Sequence, residues 1–336
     1  MQAGYQRGFD IMTTSPGAIL TVINCSVSFG AKKPRVVDSV SFDLYPHEVL
    51  GLVGESGCGK TTLSRAIMGI QTAQNGSVVL SGIDLTKQTS GQLRKSRSAM
   101  QMIFQDPYAS LNPRMTVFDM LCEPLRFHRK IQRADCPREI ANLLKRVGLD
   151  SASMRKFPHE FSGGQRQRIA IARALAVGPM LIIADEPVSA LDVSVQAQIL
   201  NLLSDLRKDM GLAMLFISHD LSVVRYISDR IAVMFKGKIV EIGSCDEVFK
   251  APLHPYAQAL LAAIPVADPD HLYAAPLQPA FIGRYCDEDL NKGCPYAARC
   301  HYALSECTKN IPALEPISSG EAHQAACIRK RELKLF

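Results

Sequence analysis

Residues 49–70 read VLGLVGESGCGKTTLSRAIMGI, and how that stretch divides decides the fold. Its first five residues are a continuous apolar run, the mark of a strand buried on both faces. Gly54-Glu55-Ser56-Gly57-Cys58-Gly59-Lys60-Thr61 then fits G-x-x-x-x-G-K-[ST] without deviation, and the residues after it read as a helix. In such a loop successive backbone N–H groups turn inward on an anion, and glycines keep side chains out of the way. The helix start adds the positive end of its dipole. Lys60 brings a point charge to the β- and γ-phosphates of a nucleotide, and Thr61 a hydroxyl for Mg²⁺. Gly54, Glu55, Ser56, Gly57, Cys58, Gly59, Lys60, Thr61 and Thr62 are therefore the candidate phosphate cradle.

Working outward, MLIIAD (180–185) and AMLFIS (213–218) repeat the apolar run with an abrupt polar end. Such strands alternating with helices predict an α/β fold with a mainly parallel sheet. ILTVINCSVSF (19–29) alternates, VVDSVSFDL (36–44) reads as its antiparallel neighbour, and NGSVVLSGIDL (75–85) as a turn and strand. IAVMFKGKIVEIG (231–243) has the outline of a hairpin around Lys236-Gly237, and about 107–175 the pattern turns helical and basic. Parallel sheets carry their ligand sites at the carboxyl ends of the strands, so the polar residues after Gly54, Ala184 and Ser218 are expected together. Asp185 supplies the second carboxylate that a magnesium nucleotide needs, held through water. Glu186, next in the chain, projects differently and can act on the attacking water as general base. Ser162-Gly163-Gly164-Gln165 starts another helix with a second anion-binding terminus. One triphosphate does not easily fill two cradles in one domain, so this one is expected to cap a nucleotide held by a partner subunit.

The chain has 336 residues, 47% hydrophobic and 21% charged, which excludes a disordered polymer and is enough for a substantial core. Its apolar stretches fall short of the ~20 residues that span a bilayer. The opening MQAGYQRGFDIMTTSPG has no apolar signal segment, and a cytoplasmic protein is expected. The net charge of +6 suits a polyanion or an anionic membrane face, or simple solubility. After Ala251 the chain becomes Pro-rich, marking a linker and a small appended region. There Cys286, Cys294, Cys300, Cys307 and Cys327 crowd together with no C-x₂-C pair among them. Iron–sulfur, zinc, disulfides and free reduced thiols all remain open on spacing alone.

As an ordered set these motifs resemble the ATP-binding subunit of an ABC transporter. FSGGQ (161–165) matches the ABC signature, and the core it implies covers about residues 17–250, with a helical subdomain at about 107–175 and an antiparallel β subdomain. The resemblance implies that Phe29 stacks on adenine and that Gln105, in MIFQDP, touches Mg²⁺ and couples to membrane domains. It implies that Asp192, in SALD, belongs to the D-loop and that His219, in ISHD, senses the γ-phosphate. Lys60, Gln105, Glu186 and His219 are then the catalytic set, and Thr61, Gln105 and Asp185 the magnesium set.

QDPYASLNPRMTV, HEFSGGQRQRIAIARAL, LHPYAQALLAAIP and the tail GCPYAARC resemble one branch, the oligopeptide/dipeptide/nickel importers, with residues 251–336 as its C-terminal extension. That branch implies Cys294, Cys300, Cys307 and Cys327 as ligands of a 4Fe-4S cluster, with Cys286 spare. The implied function is ATP hydrolysis coupled to uptake of di- or oligopeptides at the cytoplasmic face of the inner membrane. Partners would be a second ATPase subunit, identical or different, two transmembrane permeases and an extracytoplasmic substrate-binding protein, with no nucleic acid. A soluble ABC ATPase acting on nucleic acid or ribosomes is the competing reading, resting on basic stretches such as RFHRKIQR (126–133).

Overall fold

The computed structural model of the chain describes residues 17–30, 33–264, 292–318 and 322–332. Strands β1 (Leu20–Ser28) and β2 (Arg35–Leu44) pair antiparallel before the chain crosses into the core as β3 (Val49–Val53) and α1 (Lys60–Ile67). It returns to the first sheet as β4 (Asn75–Leu80) and β5 (Ile83–Asp84). The sequence reading has one strand in 75–85. The structure folds it back at Ser81-Gly82, both with positive φ (47° and 82°), which brings Leu80 opposite Ile83. Two consecutive left-handed residues are what a tight hairpin turn requires.

After α2 (Ser90–Ser96) and β6 (Met100–Ile103) come the helices α3 (Pro107–Ser110), α4 (Val117–Arg129), α5 (Cys136–Arg146) and α6 (Gly163–Leu175). The core then resumes with β7 (Leu181–Asp185), α7 (Val193–Met210), β8 (Ala213–Ser218), α8 (Leu221–Ile227), β9 (Arg230–Phe235) and β10 (Lys238–Ser244). Helices α9 (Cys245–Lys250) and α10 (Pro255–Ala262) follow, and β11 (Glu315–Pro316) and β12 (Gln324–Ala325) close the described chain. Among the described residues no helix is long and apolar enough to cross a membrane.

The first sheet runs β2-β1-β4-β5 and the second β11-β12-β10-β9-β3-β8-β7-β6. From β9 to β6 the second sheet is parallel, and β12 adds to it antiparallel along β10, with Glu241 opposite Ala325. Neighbouring residues of its central strands enter two different cores. Val49, Ile182, Ala184, Met214 and Phe216 pack toward α4–α8, whereas Leu50, Leu52, Ile183, Leu215 and Ile217 pack under β1, β2, β4 and α1. That is the reason these strands read as unbroken apolar runs: each face is covered, at about 1.5–3 kcal/mol for each large side chain buried. Gly51 is the exception in β3, because a Cβ there would run into Val224 and Ser228 on the α8 side. The sheet's carboxyl edge thus presents the ends of β3, β7 and β8 side by side.

Candidate nucleotide-binding site

The loop between β3 and α1 is shaped by two glycines. A Cβ on Gly54 would strike the Met234 carbonyl, and Gly59, at φ 110°, would place one 2.6 Å from the Val36 carbonyl. Gly59 also occupies the cap of α1 without a side-chain hydrogen bond, so the first N–H groups of that helix meet no competing side-chain acceptor from the cap. Lys60 is 5% exposed, and its Nζ donates to the carbonyls of Gly54 at 2.7 Å and Glu55 at 3.0 Å, spanning the loop.

Across the loop, β7 ends in Asp185. The Thr61 hydroxyl donates to Asp185 Oδ1 at 3.3 Å, joining two of the three residues expected to share Mg²⁺. Burial pushes the Asp185 carboxyl up from its ordinary range, partly offset by the Thr61 hydrogen bond, and the neighbouring Glu186 adds to the rise. Glu186 itself sits in the left-handed region, φ 48°, unusual for a residue with a side chain. Its N–H is held by the Ile217 carbonyl at 2.9 Å, and that backbone twist at the strand exit sends its carboxylate on a course of its own. Gln105 Nε2 donates to Glu186 Oε2 at 3.0 Å, and His219 Nδ1 lies 3.2 Å from Glu186 Oε1. Three residues from the ends of β6, β7 and β8 therefore meet on one carboxylate.

Other residues of the sequence reading stand apart from that meeting point. Ser162 caps α6, with Gln165 N–H donating to its Oγ at 3.3 Å and its own N–H donating to Gln165 Oε1 at 3.0 Å. A Cβ on Gly163 would lie 3.4 Å from Leu191, and one on Gly164 would collide with Val195, so this turn is packed on the start of α7. Asp192 caps α7 without using its side chain. Phe29 lies just past β1 and is 54% exposed.

Two residues were missed. Tyr256 Oη accepts the Glu55 N–H at 2.9 Å, and Arg299 pairs with the Glu55 carboxylate at 2.8 and 2.9 Å. They lie 201 and 244 positions from Glu55, and no local pattern around either announces the contact.

The 4Fe-4S expectation is not supported by the side-chain arrangement. Among the described residues no group of three or more His, Cys, Asp or Glu is arranged to hold a metal ion. Cys294, Cys300, Cys307 and Cys327 do line one cavity of about 20 Å³ together with His254, space on the scale of a single water. Burial pushes the Cys294 thiol up to about 12 and the Cys300 thiol up to about 11, with neighbouring cysteines adding to each rise. Cys286 lies outside the described residues.

Residues 37–189 match the family model described as ABC transporter, and residues 240–307 match that of the oligopeptide/dipeptide transporter C-terminal region. The chain is 48% identical over 301 residues to the oligopeptide transport ATP-binding protein OppF of Salmonella typhimurium, covering 89% of each. It is 54% identical over 239 residues to the OppF of Bacillus subtilis, covering 70% of this chain and 78% of that one. Among solved structures it resembles cbiO1 from Clostridium perfringens, part of an ABC transporter complex, with TM-score 0.64 and 26% identity over 69% of this chain and 91% of that one. A dimeric ATP-binding cassette in a post-hydrolysis state with ADP and Pi gives TM-score 0.61 and 27% identity over 67% and 98%.

Proposed function

Because the chain belongs to the ABC transporter family, in its oligopeptide/dipeptide branch, we propose that the site above is the nucleotide half-site that powers a peptide importer. The chain is the ATP-hydrolysing subunit of that importer, and the meeting of Gln105 and His219 on Glu186 is the observation that carries the residue assignment.

Lys60 and the N–H groups of Gly54–Thr61 hold the phosphates and spread their charge. Thr61 and Asp185 would hold Mg²⁺; their contact sets a hydroxyl and a carboxylate oxygen side by side, the donor type a hard divalent cation takes, and that ion would neutralise phosphate oxygens when bound. Gln105, with Nε2 on Glu186, keeps its carbonyl oxygen for the same ion. Glu186 takes the proton of the attacking water, and His219 faces the γ-phosphate. Phe29 offers an exposed ring face to adenine, and Asp192 and the Ser162–Gln165 turn close the site of a second ATPase subunit. ATP held between the two subunits joins them, and hydrolysis parts them. Residues 17–250 form the motor, with the helical part at about 107–175 turned to two permeases in the membrane, and residues 251–336 form the branch-specific extension. A substrate-binding protein outside the membrane delivers the peptide.

The cluster at Cys294, Cys300, Cys307 and Cys327 belongs to this proposal only as a separate assay. The four cysteines line one cavity, which at about 20 Å³ has no room for a cluster as it stands, so the expectation rests on the branch resemblance of this region alone. Iron and sulfide determination on anaerobically purified protein decides it, and colourless, iron-free protein removes it.

The test of the motor is Glu186→Gln on every copy in the assembled importer. ATP binding is expected to persist while turnover falls by ~10² to 10⁴. Near-normal turnover would take Glu186 out of the base role.

A further inference from the structure

Among the described residues the C-terminal region meets the phosphate loop through a charged contact. Arg299 Nη1 and Nη2 donate to Glu55 Oε2 and Oε1 at 2.9 and 2.8 Å, a two-pronged pair that fixes both planes. The guanidinium is itself held, 5.7 Å from the ring centroids of both Phe235 and Tyr296. Those two rings meet edge-on at 5.3 Å, and Tyr256 packs 4.5 Å from Phe235 and 5.4 Å from Tyr296. Tyr256 then takes the backbone N–H of the same Glu55.

Glu55 is thus gripped at three points: N–H by Tyr256, carbonyl by Lys60, carboxylate by Arg299. Its position matters because it is the second residue of the cradle. A carboxylate there is a fixed negative charge beside a site built for a polyanion, and it opposes the arriving phosphates unless a cation covers it. Arg299 is that cation. It is flanked in sequence by Cys300, whose thiol lines the four-cysteine cavity.

We propose that Arg299 is a positioning residue of the nucleotide site, acting through Glu55: it neutralises the carboxylate and holds the loop, so the C-terminal region sets the site's affinity for triphosphate. This rests on the reading of Gly54–Thr61 as the nucleotide site.

The experiment measures binding of a fluorescent ATP analogue with Mg²⁺ to the full chain and to Arg299→Ala, Arg299→Lys and the double variant Arg299→Ala/Glu55→Gln. Arg299→Ala is expected to weaken binding about three- to tenfold at low salt, with the loss shrinking as ionic strength rises. Arg299→Lys, which keeps charge but not the two-pronged fit, falls between. Removing the Glu55 charge from the Arg299→Ala background is expected to recover at least threefold. An unchanged affinity for Arg299→Ala overturns the proposal, as does a double variant no better than Arg299→Ala, the behaviour of a purely structural tether. Lys60→Ala separates the two levels. If it leaves binding intact, the nucleotide-site reading fails; if it abolishes binding while Arg299→Ala changes nothing, only the role of Arg299 fails.

Discussion

Gln105 Nε2 donates to Glu186 Oε2 at 3.0 Å across 81 positions of chain, so the end of β6 orients the carboxylate at the end of β7. The whole helical region, α3 to α6, lies between those two residues in sequence. Anything that shifts that region relative to the sheet therefore shifts the amide that orients the Glu186 carboxylate.

Gln105→Ala is expected to lower kcat for ATP about ten- to a hundredfold while changing ATP affinity less than about threefold, because it removes orientation and leaves the cradle alone. His219→Ala should act on the same carboxylate, and the double variant should lose less than the product of the two losses. Steady-state kinetics of the assembled importer reads all three; multiplicative losses would show that the two contacts act independently.

Gly164→Ala is expected to cost about 1 kcal/mol and lower the melting temperature by about 2–4 °C, since the added methyl meets Val195 at the α6–α7 contact. Val195→Ala in the same chain should return most of the loss. Thermal unfolding of the single and double variants tests this, and no recovery would place the strain elsewhere.

Asp38 links the two sheets, pairing with Lys238 on β10 and with Arg35 on its own strand at 2.7 Å. Burial raises its pKa, but hydrogen bonds from Lys238 and Arg35 and the charge of Lys238 outweigh that and hold the carboxyl below its ordinary range. A lowered folded-state pKa stabilises above the unfolded value near 3.8, and the gain is lost as pH falls through the folded value. Both ends see solvent, so Asp38→Asn should cost only about 0.5–1 kcal/mol at pH 7. Chemical unfolding at pH 7 and pH 3 should show the gap between parent and variant closing at the lower pH; a constant gap would contradict it.

Glu241 has no exposed surface, and its carboxylate accepts the N–H groups of Leu253 at 3.0 Å and His254 at 2.7 Å, with His323 Nε2 at 2.7 Å. One side chain on β10 thereby pins both the start of α10 and the approach to β12. Glu241→Gln turns one accepting oxygen into a donor facing donors and is expected to cost about 2–3 kcal/mol. Limited proteolysis should cut the 292–332 region sooner in the variant, and an unchanged cutting rate would mean that other contacts hold that region.

Much of this molecule is written locally. The run VLGLV needs only its own side chains to announce a strand covered on two faces, and the loop's glycines are legible as a motif, although what demands Gly54 and Gly59 is the Met234 carbonyl of β9 and the Val36 carbonyl of β2, brought close only by the fold. Asp185 and Glu186 could be named because a buried strand ending in two carboxylates is a chain-local pattern. The turn at Ser81-Gly82 is also local but hard to read from the chain, because Ser at positive φ gives a weaker signal than Asn or Gly.

Which groups touch is another matter. Gln105, Glu186 and His219 meet because strand order sets β6, β7 and β8 side by side, and that order is a property of the packed sheet. The grip of Tyr256 and Arg299 on Glu55 depends on the C-terminal chain folding back over the aromatic box of Phe235 and Tyr296. Apolar periodicity and loop composition are short-range and survive in a list of residues. Contacts across two hundred positions arise only when burial of two separate cores has already placed their backbones, so they belong to the folded chain alone.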